Sequence, residues 1–310
     1  MNGFVGDWRK PEFVPITPAR QDWHMSKFGV SSSVANLKRV AVRTPTRDAD
    51  YQGAHWLGAP EELDLDALQA DHAAFVELLR KLGCEVDVLP EAPGLADACF
   101  VYDPAFTTPS GVIQLQGAKE ARVKEPALLV GEINALGMPT VGVLMGDATA
   151  DAGDMFWLDE KTVAIGRTYR TNEAGEKQLR DIFAAEGIDV KTFHMPHAMG
   201  PEYCLHLMSV ISPIRDDLAV VYEREAPVTL LQELDKRGIK TVSVPDEEYM
   251  SLACNVLAVR PGVAVMPSGN PITAQRLRDV GVEVHTYKAD VINRGEGGPT
   301  CLTRPLWREN

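Results

Sequence analysis

The chain has few cysteines, no long apolar run and no excess of positive charge, and each of these deficits excludes a class of protein. Its 310 residues include five cysteines without a CxxC pair, so the sequence predicts neither a disulfide framework nor a zinc knuckle. Lysine and arginine number 31 against 44 aspartates and glutamates. The formal net charge of -13 disfavours a nucleic-acid groove or an anionic membrane surface, and we expect a small-molecule partner instead.

The N-terminal residues lack the basic start and apolar core of a signal peptide, and no apolar stretch approaches the length that spans a bilayer. These features predict a cytoplasmic protein. Residues 1–35 carry three prolines and little periodicity, which predicts an irregular arm that packs on the domain or on a partner subunit of a homo-oligomer. Residues 36–310 contain no low-complexity linker and are predicted to form one α/β domain.

One junction recurs five times along the chain: an amphipathic helix, a glycine near its end, and a short β-rich run. The five copies are LLRKLGCEVDVLP, EINALGMPTVGVL, IFAAEGIDVKTFHM, LLQELDKRGIKTVSVP and RLRDVGVEVHTYK. The glycine suits a left-handed helix C-cap, and the alternating residues after it predict a strand. Between the junctions lie predicted strand pairs: FVYDPAF with GVIQLQ, DMFWLD with TVAIGRT, LHLMSVISPI with LAVVYE, and CNVLAV with GVAVMPSG.

Each unit therefore reads strand, strand, helix, strand, and the segments LKRVAVRTP and CLTRPL are able to complete a ring. A closed ring of five units would bury every sheet and leave one central crevice. Periodicity alone also allows a conventional open α/β sheet.

Cys301 follows three glycines and a proline in GEGGPTCLTRPL, a loop that lets the backbone approach a ligand and leaves a thiol at the mouth of a crevice. The alternative is a small buried apolar residue. His206, in CLHLMSV, is the candidate partner, because strand alternation points its side chain away from those of Leu205 and Leu207. A satisfied core or surface histidine is the alternative.

Three acidic residues stand beside predicted strands: Asp103 before a proline, and Asp151 and Asp154 in ATADAGDMFW. Each of the three is a turn former in one interpretation. In the other, a pair of these carboxylates faces the crevice and holds a cationic planar group. Arg122 and Arg170 form solvated ion pairs or bind a substrate carboxylate bidentately.

Eight segments in order resemble the dimethylarginine dimethylaminohydrolase branch of the guanidino-group-modifying superfamily, which also holds arginine deiminases and amidinotransferases. They are RVAVRTP, FVYDP, DAGD, GRTYRTNEAG, LHLMS, ACNVLAV, VMPSG and GGPTCLTRPL. The resemblance implies a five-bladed α/β propeller, with neither cofactor nor metal. It also implies that Cys301 attacks a guanidinium carbon, while His206 protonates the departing amine and then activates water.

The resemblance assigns further residues to the site. Asp151 joins the catalytic group, and Asp103, Arg170 and Arg122 match substrate-binding positions. Asp154 matches a position where substrate contact and a structural role are equally expected.

Three positions depart from the family pattern. Tyr102 and Asp151 stand where glutamates are usual, and Met208 stands where a polar residue is usual. Tyr102 and Met208 are therefore predicted to line a substrate pocket that is less anionic and more apolar than an arginine-derivative site, which disfavours dimethylarginine as the substrate.

The predicted function is hydrolysis of a C–N bond at a guanidine- or amidine-like carbon, through a covalent thiouronium-type intermediate. Three alternatives stay open: hydrolytic loss of the substituent from a 2-substituted heteroaromatic such as a nitroimidazole, amidino transfer, and a non-catalytic propeller that binds a metabolite.

Overall fold

The structure is a computed structural model and describes residues 28–54, 56, 63–203 and 205–310. The described residues form five three-stranded sheets, each with a helix in its connection. The strands are β1 (Asn36–Arg43), β2 (Glu85–Leu89), β3 (Ala105–Thr107), β4 (Val112–Gln114), β5 (Thr140–Val143), β6 (Met155–Asp159), β7 (Thr162–Arg167), β8 (Asp189–His194), β9 (Ile211–Arg215), β10 (Leu218–Val221), β11 (Lys240–Ser243), β12 (Leu257–Arg260), β13 (Val263–Pro267), β14 (Glu283–Tyr287) and β15 (Arg304–Glu309). The helices are α1 (Leu65–Lys81), α2 (Glu125–Ala135), α3 (Glu173–Ala185), α4 (Val228–Arg237), α5 (Asp246–Tyr249) and α6 (Pro271–Asp279).

The five sheets share one strand pattern. In each, the central strand pairs antiparallel with one neighbour and parallel with the strand that follows a helix. Parallel neighbours need a crossover connection, and the helix supplies it. In the first sheet the antiparallel neighbour of β1 is β15, with Leu37 opposite Arg308 and Ala41 opposite Arg304. The ring is thereby closed. The predicted five-bladed α/β propeller is confirmed, and the alternative, an open α/β sheet, is not found.

The predicted helix caps are confirmed at all five junctions. The glycine after each helix has a positive φ, a conformation in which a side chain is strained. These residues are Gly83 (93°), Gly137 (101°), Gly187 (72°), Gly238 (70°) and Gly281 (81°).

The core lies between the blades, where the central strands are buried and aromatic side chains interlock. Phe106 stacks on Trp157 at 5.9 Å between ring centroids and meets Phe183 edge-on at 5.7 Å. Arg304, on β15, is also buried: its guanidinium lies 4.1 Å from the Tyr102 ring centroid and donates to the Tyr102 carbonyl over 3.1 Å. The ring-closing strand is thus bound to the segment that begins the second blade.

The prediction that His206 lies on a strand is wrong. β9 begins only at Ile211, and residues Leu207–Ser209 form a single helical turn. Side chains compete for the backbone donors that a strand would use: the Leu207 amide donates to Asp154 over 2.9 Å, and the His206 amide donates to the Ser209 hydroxyl over 3.0 Å. His206 therefore occupies a loop that enters the turn.

Most of the predicted N-terminal arm lies outside the described residues. Within them, the Gly29 amide donates to the Leu306 carbonyl over 2.8 Å and Gly29 pairs with Trp307, so this part of the arm adds to the β15 edge. Among the helices described above, none has the length and apolarity that crossing a membrane requires.

Candidate active site

Two cavities meet at Cys301, His206 and Glu296, the residues that line both. The small cavity, of about 90 Å³, is also lined by Tyr102, Tyr203, Met208, Tyr249 and Asn255, among others. The large cavity, of about 880 Å³, is also lined by Asp97, Asp103, Arg122, Asp151 and Arg170, among others. The thiol predicted to lie at the mouth of a crevice therefore lies at the junction of two.

Cys301 is partly buried at the end of its glycine-rich loop, and its sulfur accepts a hydrogen bond from Asn255 Nδ2 over 3.1 Å. Burial, assisted by the negative charge of Asp103, raises the pKa of the Cys301 thiol to about 11. The Asn255 bond, a backbone bond from Gly298 and the nearby His206 oppose that rise without cancelling it. The thiol is therefore neutral at neutral pH.

Asn255 also holds the loop that carries the nucleophile. Its Oδ1 accepts from the Thr300 amide over 3.0 Å, and a Cβ added to Gly298 would lie 2.6 Å from its Cγ. One side chain thus fixes both the loop and the sulfur. Asn255 carries no signal of its own in the sequence, although it belongs to ACNVLAV, one of the eight segments that carry the resemblance.

His206 is buried and oriented from two sides. Its Nε2 lies 3.1 Å from Asp151 Oδ2, and both side chains are almost inaccessible to solvent. A Cβ added to Gly153 would lie 2.3 Å from His206 Nδ1, so only glycine admits the ring in this position. A carboxylate bonded to imidazole fixes its orientation and stabilises its protonated form. The structure thus brings together the three residues predicted to be catalytic.

Asp103 lines the large cavity and has one unsatisfied oxygen. Its Oδ2 accepts from Arg122 Nη1 over 2.6 Å, whereas Oδ1 is buried without a hydrogen-bond partner among the described residues. Burial opposes ionisation of Asp103, but Arg122 and His206 outweigh it and hold the pKa of this carboxyl below its ordinary value. An unpaired buried acceptor is costly, so Oδ1 would be stabilised by an N–H donor.

Arg122 lines the large cavity, but its nitrogens are bonded to the protein. Nη1 donates to Asp103, Nε to Glu125 over 2.8 Å, and Nη2 to the Phe100 carbonyl over 3.1 Å. Burial raises the pKa of Glu125 to about 7 in spite of the Arg122 charge. Arg122 is therefore part of the cavity wall, and a substrate carboxylate would have to displace one of these bonds.

Arg170 is half-buried at the large cavity, and within the described ranges its guanidinium has no hydrogen bond or ion pair. Of the two arginines predicted to bind a carboxylate, Arg170 is the one whose donors are available.

Asp154 lines neither cavity. It is fully buried and accepts from the Thr168 hydroxyl over 2.7 Å, the Thr171 hydroxyl over 2.6 Å and the Leu207 amide over 2.9 Å. Burial raises its pKa to about 6. The substrate contact predicted for Asp154 is not found, because its oxygens bind the segments that carry Arg170 and His206.

The predicted apolar pocket is present in the small cavity only. Tyr102 and Met208 line it, and the Tyr102 hydroxyl is turned away to donate to the Met155 carbonyl over 3.3 Å. In the large cavity, acids from segments outside the compared motifs converge. That the site is less anionic than an arginine-derivative site stays a prediction. The described lining has the carboxylates Asp97, Asp103, Glu120, Asp151, Glu202 and Glu296 and the cations Lys119, Arg122 and Arg170.

In the part of the chain that the structure describes, no group of three or more His, Cys, Asp or Glu side chains is arranged to hold a metal ion.

Comparison with known sequences finds arginine deiminases. Residues 222–308 match the family model described as arginine deiminase. The arginine deiminase of Mycoplasma capricolum subsp. capricolum is 29% identical over 197 residues, which cover 53% of this chain and 48% of that enzyme, so the match spans about half the length of this relative. The uncharacterized protein YkgA of Bacillus subtilis is 26% identical over 237 residues, covering 76% of this chain and 79% of YkgA.

Comparison with solved structures finds the same fold in enzymes of related chemistry. A mutant of the dimethylarginine dimethylaminohydrolase of Pseudomonas aeruginosa, complexed with citrulline, superposes with a TM-score of 0.74 at 21% identity, covering 86% of this chain and 98% of that one. SxtG, an amidinotransferase of Microseira wollei, superposes with a TM-score of 0.74 at 14% identity, covering 91% and 98%. At these identities the likeness concerns the fold.

Proposed function

We propose that the chain belongs to the guanidino-group-modifying superfamily and that it hydrolyses a C–N bond at a guanidine- or amidine-like carbon, with Cys301 as the nucleophile. One observation carries the proposal: the Cys301 thiol shares both cavities with His206, whose imidazole is held by Asp151. A thiol, a base and a group that orients the base are the parts of a nucleophilic site.

Substrate binding begins at Asp103. Its unpaired Oδ1 accepts an N–H of the planar cationic group, while Arg122 keeps the other oxygen in place. The bound cation lowers the cost of ionising Cys301, whose pKa is raised by burial. The substrate thereby helps to generate the nucleophile that attacks it.

The first half-reaction transfers the thiol proton to His206 and joins sulfur to the electrophilic carbon. The C–N bond then breaks, and the leaving nitrogen takes the electron pair together with a proton from the His206 imidazolium. Asp151 stabilises that imidazolium through its bond to Nε2. The amine departs, and a thiouronium-type adduct remains on Cys301.

The second half-reaction consumes one water molecule. His206 takes a proton from the water, the oxygen bonds to the carbon, and the C–S bond breaks. The sulfur recovers a proton from His206, and the Asn255 N–H stabilises its charge as it leaves. The products are an amine and a urea or amide.

A second candidate, hydrolytic loss of a C2 substituent from a flat nitrogen heterocycle such as a nitroimidazole, is favoured by the walls of the small cavity. Tyr102, Tyr203, Tyr249 and Met208 provide apolar and aromatic surface beside Cys301. Such surface suits a planar ring better than a flexible basic chain. Amidino transfer uses the same adduct with an amine in place of water, and a non-catalytic binding protein has no need of a thiol that accepts a hydrogen bond from Asn255.

A substrate screen with trapping of the adduct tests the proposal. Guanidines, amidines and 2-substituted imidazoles are incubated with the protein, and the intact mass is measured after rapid acid quenching. We expect an adduct on Cys301 and turnover that Cys301→Ser abolishes, whereas Cys84→Ser, a change at a buried thiol outside both cavities, preserves it. Turnover of more than a few per cent in Cys301→Ser contradicts the proposal. Added amines that enter the product would identify a transferase.

Cytoplasmic residence and a homo-oligomeric state stay predictions from the sequence.

A further inference from the structure

Arg304 and Arg308, both on β15, are buried cations without a carboxylate partner among the described residues. They are 2% and 8% exposed. The other buried arginines in the described ranges, Arg39 and Arg43, are each paired with a carboxylate. The hydrogen bonds of Arg304 and Arg308 go to backbone carbonyls instead. Burying a cation without a counter-charge is costly, so an anion beside this pair would stabilise the folded protein.

Both guanidinium groups stay charged at neutral pH. Burial lowers the pKa of Arg304, and it lowers the pKa of Arg308 to about 10, with the positive charge of Arg304 adding to the effect. A pKa of about 10 still leaves the group protonated at pH 7. The two side chains therefore place two positive charges inside the propeller.

Arg304 and Arg308 line a cavity of about 30 Å³, which we call the arginine cavity. This is the room of about one water molecule or one small ion. Its described lining contains no Asp, Glu, Asn or Gln, so no side chain there offers a carboxylate or amide oxygen.

Other residues of the arginine cavity have donors to spare. Trp157 Nε1 and Arg304 Nε are buried and have no hydrogen-bond partner among the described residues. The Ser33 hydroxyl accepts from the Trp157 amide over 2.9 Å, and the Ser32 hydroxyl accepts from two backbone amides, so the hydroxyl protons of both serines remain to be donated. A water molecule needs acceptors as well as donors, whereas an anion needs donors alone. The lining therefore favours an anion.

The arginine cavity adjoins larger ones on two sides. It shares Tyr102 and Met208 with the small cavity beside Cys301. It shares Ser32, Ser33 and Trp157 with a separate cavity of about 580 Å³, whose lining includes exposed residues. An ion thus has a route from solvent that does not pass the nucleophile.

We propose that the arginine cavity binds one small monovalent anion such as chloride, held by the charges of Arg304 and Arg308 and by the Trp157 indole N–H. The volume excludes larger anions such as sulfate and gluconate. This inference does not rest on the proposed reaction, because none of these three residues is a proposed catalytic group.

The first test compares thermal unfolding in sodium chloride, sodium bromide and sodium gluconate at matched ionic strength and pH 7. We expect the Tm to be about 2–4 °C higher in chloride and bromide than in gluconate, because an ion that binds only the folded state stabilises it. Crystals grown in sodium bromide locate the ion directly. We expect an anomalous bromine peak inside the arginine cavity.

A variant links the salt effect to the cavity. Trp157→Phe removes one donor and keeps the aromatic ring. We expect it to raise the chloride concentration at half-maximal stabilisation about tenfold, the effect of losing one hydrogen bond to a charged group. Trp307→Phe makes the same change at a tryptophan that lines neither the arginine cavity nor its neighbours, and we expect the wild-type response.

Three results would each overturn the inference. One is an equal Tm in the three salts, which would make any bromine peak a case of binding at crystal concentration only. Another is a bromine peak that occurs only outside the arginine cavity. The last is a wild-type chloride response in Trp157→Phe, because the ion that stabilises the protein would then bind elsewhere.

Discussion

Asn255 donates a hydrogen bond to the sulfur of Cys301 over 3.1 Å while its carbonyl oxygen accepts from the amide of the preceding residue, Thr300. A single amide side chain therefore sets the position of the nucleophile and supplies a donor to it. The donor matters most when the sulfur carries charge, at attack and at departure, because hydrogen bonds to charged groups are stronger than those to neutral ones.

Replacing Asn255 by alanine is expected to lower kcat/KM by roughly 10- to 100-fold, since a hydrogen bond to a charged group contributes about 1.5–3 kcal/mol. The pKa of Cys301 should rise further, so alkylation of this thiol at pH 8 should slow in the same variant. Steady-state kinetics and alkylation rates measure the two effects, and thermal unfolding checks the fold. An unaltered alkylation rate would show that the contact does not stabilise the thiolate.

Alkylation of Cys301 in the free protein should accelerate with pH about tenfold per unit from pH 7 to 10, without a plateau. The reason is that burial raises the pKa of this thiol to about 11, and only the thiolate reacts. The rate is measured with iodoacetamide by mass spectrometry, and Cys301→Ser identifies the background from other cysteines. A rate that is already constant near pH 7 would indicate a preformed thiolate and contradict the neutral resting state.

Replacing Gly153 by alanine should lower kcat at least about 100-fold, the lower part of the range for general acid–base catalysis. The new Cβ would lie 2.3 Å from His206 Nδ1, so the imidazole must move away from Asp151. Gly131→Ala, on α2, is the matched control because a Cβ there meets nothing within 4 Å. We expect the control to keep wild-type kinetics. Normal kcat in Gly153→Ala would mean that catalysis does not depend on this imidazole position.

Replacing Glu125 by glutamine should change how stability depends on pH. Burial raises the pKa of Glu125 from 4.5 to about 7, so the folded state binds this proton more tightly than the unfolded state. This contribution to stability is complete below pH 4.5 and is lost as the pH rises to about 7. The free energy of unfolding of the wild type, relative to Glu125→Gln, should therefore fall by about 3 kcal/mol between these limits. Denaturant unfolding at several pH values measures it, and parallel curves would contradict the raised pKa.

The ring was predictable because its signals are local. A helix, a glycine and an alternating strand are encoded within a dozen or so residues, and each of the five junctions repeats them. Gly83 and Gly238 could therefore be predicted as helix C-caps without knowledge of their neighbours in space. His206 shows the limit of the same reasoning. Its apolar alternating surroundings suggest a strand, but Asp154 and Ser209 take the backbone donors that a strand needs.

The details of the site were less predictable because they depend on contacts between distant loops. Asn255 and Cys301 are 46 positions apart, and the sequence does not indicate that an amide from one blade reaches a sulfur in the last loop. Arg122 was predicted to bind substrate, yet it is bonded to Asp103 and Glu125 through geometry that only the fold creates. The negative charge of the large cavity likewise comes from residues such as Glu202, whose segment carries no recognisable pattern.

The closure of the propeller by β15 also determines when the protein becomes chemically competent during its synthesis. Cys301 stands three positions before β15, the strand that pairs with β1. A ribosome therefore completes four blades and two strands of the first, β1 and β2, before it makes the thiol, and it makes the thiol just before the strand that closes the ring. A nascent chain that stalls earlier has no sulfur at this position. An unfinished molecule therefore lacks the nucleophile of the proposed reaction and cannot bind substrate covalently there.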